Sequence, residues 1–200
     1  MKIVCVNYIG ELHRNSLYPD CITIDGYGSC SVRFKPDSTL LANGKPFYIP
    51  DVCPQISAGL KAVIRINRLG KNIAERFSYR YYEDITIGVD LQAMGSTGSL
   101  FNAMDGSAVI GRFLAKDVFL SKQDCSLNLK FNENVVQKLN CEDLFRNADR
   151  IIAEVSRYAT LKVGDLIFIG NIDGKTDEIN IHTHIVGEVG GEALLDFNVL

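Results

Sequence analysis

The amino-acid sequence predicts a β-rich α+β fold with one long amphipathic helix and short helices. Three observations carry this expectation. Apolar and polar residues alternate in many short segments, and glycine, proline and aspartate punctuate them. Strong helical periodicity occurs in one stretch only. No repeat of fixed period and no low-complexity tract interrupts the pattern.

Taken in order, the first strand falls at residues 3–6, where polar Asn7 ends the apolar run Ile3-Val4-Cys5-Val6 before a signal-peptide core can form. Period-two reading places further strands at 31–34, 85–91, 126–131, 166–169, 178–185 and 193–200. The clearest strand covers 56–66. Its even positions, Ile56 to Ile66, form an apolar face, and Ser57, Gly59, Lys61, Val63 and Arg65 form the other. One face packs, and the other looks outward or into a site. The long helix is carried by Leu144, Phe145, Ala148, Ile151, Ile152, Val155, Tyr158 and Ala159, with Asn140 as its cap and Gly164 beyond its end. A shorter helix is expected at 72–79, where Ile73, Ala74 and Phe77 share a side. Asn43-Gly44 is the strongest hairpin signal.

A chain of 200 residues fits one domain, 1–200, and folding at that size buries roughly 70% of the unfolded surface. The 21 basic and 24 acidic residues form no long run of one sign, which argues against nucleic acid or an anionic membrane as partner. No segment approaches the roughly 20 apolar residues of a membrane span. Six cysteines show neither a C-x-x-C pair nor zinc spacing, so they read as reduced thiols of a cytoplasmic protein.

Phe34-Lys35-Pro36-Asp37-Ser38, followed by Asn43-Gly44, Pro46 and Ile49-Pro50, resembles the F-x-K-P-S segment, spacer and "I-x-P" turn of the fumarylacetoacetate hydrolase family. Leu60 to Ile64 resembles the strand after the family's E-x-E pair, and Ile87-Gly88-Val89-Asp90-Leu91 its later strand with an aspartate. Leu129 to Glu133 with Gln137 resembles the family's "vNGe…Q" hairpin. Ser156-Arg157, Thr160-Leu161, Gly164-Asp165 and Gly170 resemble its "S-r-x-x-T-L-x-x-G-D" turn and following strand end. The resemblance implies a mixed β-sandwich or rolled sheet, a homodimer, and a Mg²⁺ or Mn²⁺ site. It also implies hydrolysis, decarboxylation or tautomerisation of small acids bearing a 2-oxo, enol or 1,3-dicarbonyl group.

Two carboxylates at i and i+2 of a strand, with an aspartate from a neighbour, hold one hard cation through oxygen. Here Ser57 and Gly59 occupy the first two ligand positions, and Asp90 alone matches the third. Asn102 stands at the family's lysine position, although Asp105 and Ser107 still match an "F-D-x-S" variant. Cys5-Val6-Asn7-Tyr8 resembles the family's "C-V-g-x-N-Y" start, but Glu11 and His13 replace its His…Glu pair in reversed order. That pair reads either as an acid and base or as a solvated turn. Asn171, where the family has G-T-P, offers an amide to a substrate carboxylate or carbonyl. Lys61 has no family counterpart and reads either as a surface lysine or as a cation that reaches toward Asp90 in place of the metal. His182 and His184 share a strand face, which reads as a half-built metal site or as polar surface.

The candidate residues are therefore Glu11 and His13 for catalysis, and Phe34, Lys35, Lys61, Asn102, Asp105 and Asn171 for substrate. Asp90 is the remaining metal-ligand candidate. The expected function is binding of a small oxo or dicarbonyl acid with weak or no metal-dependent catalysis, and no cofactor beyond a weakly held Mg²⁺ or Mn²⁺. The alternative is an active hydrolase, decarboxylase or keto–enol isomerase of such an acid.

Overall fold

A computed structural model describes residues 1–9, 21–24, 28–53, 55–94, 99–122, 124–140, 147–171 and 177–200. The β-rich α+β expectation holds. A large mixed sheet contains β1 (Lys2–Ile9), β2 (Cys21–Ile24), β3 (Gly28–Pro36), β4 (Leu40–Ala42), β5 (Ile56–Ile66), β6 (Tyr82–Ala93), β7 (Ala108–Ile110), β8 (Leu114–Ala115), β11 (Leu166–Asn171) and β12 (Asp177–Ile179). Its path runs β2-β3-β1-β11-β5-β6-β7-β4, with β12 on β5 and β8 on β6. A second sheet has the order β10 (Asn134–Asn140), β9 (Ser126–Phe131), β13 (His184–Val189), β14 (Glu192–Asn198). The helices are α1 (Glu75–Ser78), α2 (Ser99–Asn102), α3 (Lys116–Leu120) and α4 (Ala148–Tyr158).

Alternation along the central strands divides the large sheet into two buried faces. On the main-core face, Val4, Ile167, Ile64, Ile87 and Val89 pack in one cluster with Ile151 and Val155 of α4 and with Leu129, Ile185 and Leu195 of the second sheet. The opposite face carries a smaller apolar cluster that includes Ile3, Cys5, Val63, Ala108, Leu166 and Phe168. Lys35 on β3 hydrogen-bonds the carbonyls of Leu91 on β6 and of Ser107 just before β7. Three strands separate β3 from β6 in the sheet path. At about 4.8 Å per strand, a flat sheet would put that contact far beyond a lysine's reach, so the sheet curls on itself and this face is the inside of a roll. That curl is why nearly every residue of β5 is buried, on both faces.

The most specific block of the family resemblance builds scaffold. Ser156 accepts a hydrogen bond from Ile73 N–H at 2.8 Å and ties α4 to the segment before α1. Gly164 takes φ +88°, a left-handed turn that favours glycine. Asp165 then accepts from the backbone N–H groups of Lys2 at 2.9 Å and Lys162 at 2.8 Å, and pairs with the Lys2 ammonium. Buried Gln137 accepts from Leu60 N–H at 2.7 Å and donates to Ala58 C=O at 2.8 Å, joining the two sheets.

Several expectations need correction. Residues 178–185 are not one strand: His182 has φ +70°, and the turn it sits in hands the chain from β12 in one sheet to β13 in the other. His182 and His184 therefore share no strand face, and His184 Nε2 pairs with Asp196 at 2.9 Å. Asn140 ends β10, Asn147 stands at the N-cap of α4, and residues 141–146, with Leu144 and Phe145, lie outside the described residues. Asn43-Gly44 makes a turn, with Gly44 at φ +79°, but no hairpin, because Phe47 beyond it bridges Val199 in parallel.

Candidate functional site

The inside of the roll collects the polar residues. In the register of β5 with β6, Ser57 faces Gln92, Gly59 faces Asp90 and Lys61 faces Gly88, so these six positions share one side. On β1 and β3 the same side carries Cys5 opposite Arg33 and Asn7 opposite Ser31. The derived polar face of β5 is thus the inner wall.

Asp90 sits at the centre, fully buried. Its Oδ1 lies 2.6 Å from Lys35 Nζ, and its Oδ2 accepts from Arg33 at 3.1 Å and from the Gln92 amide at 2.7 Å. Arg33 also donates to Gln92 Oε1 at 3.1 Å, while Lys35 bonds Ser107 Oγ at 2.9 Å. Burial pushes the Asp90 carboxyl up, but Lys35, Arg33 and Lys61 together outweigh it and hold it below the usual carboxylate range. The Cys5 thiol is pushed up to about 12, by burial and then by the charge of Asp90.

Lys61 departs from expectation. It is buried, and its ammonium donates to Asn7 Oδ1. Its side chain runs over Gly170, where an added Cβ would stand 2.6 Å from Lys61 Cδ and 2.7 Å from Nζ. Arg33 and Lys35 take the Asp90 contacts that the cation reading assigned to Lys61. Burial lowers the Lys61 pKa, and the nearby Arg33 and Lys35 charges add to that against the pull of Asp90 and Cys5.

The other candidates scatter. Phe34 is partly exposed and, by strand alternation between Arg33 and Lys35, points to the other side of β3. Asp105 is exposed on the rim of a cavity of about 980 Å³ lined by Leu41, Phe47, Phe101 and Met104, and Arg33, Lys35, Lys61 and Asp90 are not among its lining residues. Asn102 is half-buried at the end of α2, which touches β3 and β6. Glu11 and His13 lie outside the described residues, and of Asn171 only the backbone is described, paired with Tyr8. Arg33, Gln92 and Asn7 were missed. Period two points to the first two, since Arg33 is two residues before Lys35 and Gln92 two after Asp90.

The residues present do not fit a divalent cation. Ser57 and Gly59 offer no carboxylate; Asp90 Oδ2 accepts from Arg33 and Gln92, and Oδ1, which has no hydrogen-bond partner among the described residues, faces the Lys35 ammonium at 2.6 Å. Among the described residues no group of three or more histidine, cysteine, aspartate or glutamate side chains converges. Three basic side chains around one carboxylate are suited to an anion, and a dication there would meet like charge.

A family model described as fumarylacetoacetate (FAA) hydrolase C-terminal matches residues 27–193. The chain belongs to the fumarylacetoacetate hydrolase family. It is 24% identical over 177 residues to oxaloacetate tautomerase FAHD2, mitochondrial, of Arabidopsis thaliana, covering 84% of this chain and 79% of that protein. It is 23% identical to the fumarylacetoacetate hydrolase domain-containing protein 2 homolog of Dictyostelium discoideum, covering 70% of this chain and spanning 51% of that relative's length. Among solved structures, fumarylpyruvate hydrolase from Pseudomonas aeruginosa, in complex with Mn²⁺ and pyruvate, superposes with TM-score 0.77 at 18% identity, covering 100% of this chain and 89% of that one. The 5-carboxymethyl-2-hydroxymuconate delta-isomerase of Mycobacterium smegmatis superposes with TM-score 0.80 at 20% identity, covering 100% and 78%.

Proposed function

We propose that this protein binds a small 2-oxo or dicarbonyl acid inside the roll without a metal, and that the protein's own cations take the electrostatic part of the missing ion. The observation that carries this reading is the arrangement of Arg33, Lys35 and Lys61 around the single carboxylate of Asp90. Arg33 Nε has no acceptor among the described residues, so the guanidinium keeps a donor for an incoming carboxylate. Relatives named as oxaloacetate tautomerases and a neighbour holding pyruvate support the substrate class.

The test is thermal unfolding with pyruvate or oxaloacetate, in EDTA and separately with Mn²⁺, against benzoate as an anion control. A ligand that binds only the folded state raises Tm. The reading expects the oxo acids to raise Tm equally in EDTA and Mn²⁺. A rise that requires Mn²⁺, or none at all, overturns it.

The alternative, catalysis of hydrolysis, decarboxylation or keto–enol exchange, is favoured by the activities named for the relatives. The same reading includes pairing of two copies of the chain, which light scattering after gel filtration tests. It also includes a reducing, cytoplasmic setting, supported by the free thiols Cys5, Cys53 and Cys125.

A further inference from the structure

Arg33, Lys35 and Lys61 all reach the inner face, and they are not equivalent. Arg33 and Lys35 share the carboxylate of Asp90, which is also bonded by Gln92. Among the described residues, the hydrogen-bond partner of Lys61 is the neutral amide of Asn7. A buried ammonium whose hydrogen bond goes to a neutral amide lacks the direct ion pair that Arg33 and Lys35 make with Asp90. Two residues along β5 on the same side, Gly59 leaves bare backbone opposite Asp90. Gly170 lets the lysine lie flat against β11, which aims Nζ at β1 and away from the Asp90 clasp.

We infer that Lys61 is an amine nucleophile that forms an imine with the carbonyl of a small 2-oxo acid whose carboxylate is held by Arg33. The inference rests on the oxo-acid reading above and adds a covalent step to it. The unprotonated Nζ attacks the carbonyl carbon; the C–N bond forms as the C=O π bond breaks, and the oxygen takes up a proton. The resulting carbinolamine loses its hydroxyl as water, and the nitrogen's remaining proton departs or stays to give the iminium. No oxidant or reductant takes part. Burial favours the unprotonated amine such a step requires, against the pull of Asp90 and Cys5. An iminium at Lys61 also draws electrons from the adjacent carbon, the same service a bound cation gives an enolate.

The experiment uses the full chain with pyruvate and sodium cyanoborohydride, which reduces an imine to a stable secondary amine. Intact-mass measurement expects one addition per chain, equal to the mass of the acid less one oxygen atom, and peptide mapping expects it on Lys61. The variant Lys61→Arg keeps a cation but has no such nucleophile, so it is expected to lose the adduct. Mapping the wild-type adduct decides the matter even if that variant fails to fold. A Tm rise without an adduct, or with an adduct spread over other lysines, overturns the imine and leaves the binding reading intact. Neither a Tm rise nor an adduct overturns both.

Discussion

Lys35 Nζ and Asp90 Oδ1 lie 2.6 Å apart with both side chains buried, and they join β3 to β6 across the inside of the roll. Removing one partner of a buried pair leaves an uncompensated charge, which costs about 3–5 kcal/mol. Asp90→Asn and Lys35→Met are each expected to destabilise by that amount in urea unfolding. The double variant is expected to lose less than the sum, because each single change strands the other's group. Additive losses would show that the pair does not close the roll.

The same pair sets an acid limit. The folded-state pKa of Asp90 lies below its ordinary value of 3.8, so its stabilisation is fully present above that value and is lost as pH falls through the folded-state pKa. Lys61 has a pKa below its ordinary 10.5, so its cost is fully present below the folded-state pKa and fades as pH rises toward 10.5. Stability measured against pH is therefore expected to fall at the acid end in wild type and less steeply in Asp90→Asn. On the alkaline side, Lys61→Met is expected to flatten a rise present in wild type.

Manganese is expected to leave the site alone. Electron paramagnetic resonance of Mn²⁺ mixed with the protein is expected to show the free-ion signal undiminished. Loss of that signal in wild type, but not in Asp90→Asn, would place an ion at Asp90 and contradict the electrostatic argument.

Gly170 tests the path of Lys61. In Gly170→Ala the new methyl meets Lys61 Cδ at 2.6 Å and Leu60 O at 3.0 Å, so the lysine must move. Overpacking of this kind costs about 1–3 kcal/mol. Urea unfolding is expected to show that loss, and pyruvate is expected to raise Tm less than in wild type.

Cys5 is expected to be inert. With its thiol pushed up to about 12 and its side chain buried, it carries almost no thiolate near neutrality. Iodoacetamide at pH 8 is expected to leave Cys5 unmodified in the folded protein and to label it in urea, read by peptide mass mapping.

Much of the scaffold was legible in the sequence. The alternation Ile56 to Ile66 assigned the faces of β5 correctly, because a strand's side-chain period is two whatever packs against it. Strands that are short or weakly alternating, such as β4, β7 and β8, were not legible, since two or three residues carry no period. The 178–185 segment misled because alternation runs through His182, and only its left-handed backbone breaks the strand.

For the site, the absence of carboxylates at Ser57 and Gly59 was a matter of residue identity, and the sequence alone determined it. Which cation answers Asp90 was decided by the tertiary structure. Periodicity says which wall Arg33, Lys35 and Lys61 face, but the curl that brings β3 to β6 is a sum of small twists over the intervening strands. That curl delivers Lys35 and Arg33 to Asp90, and the bare backbone of Gly170 leaves Lys61 to turn toward Asn7.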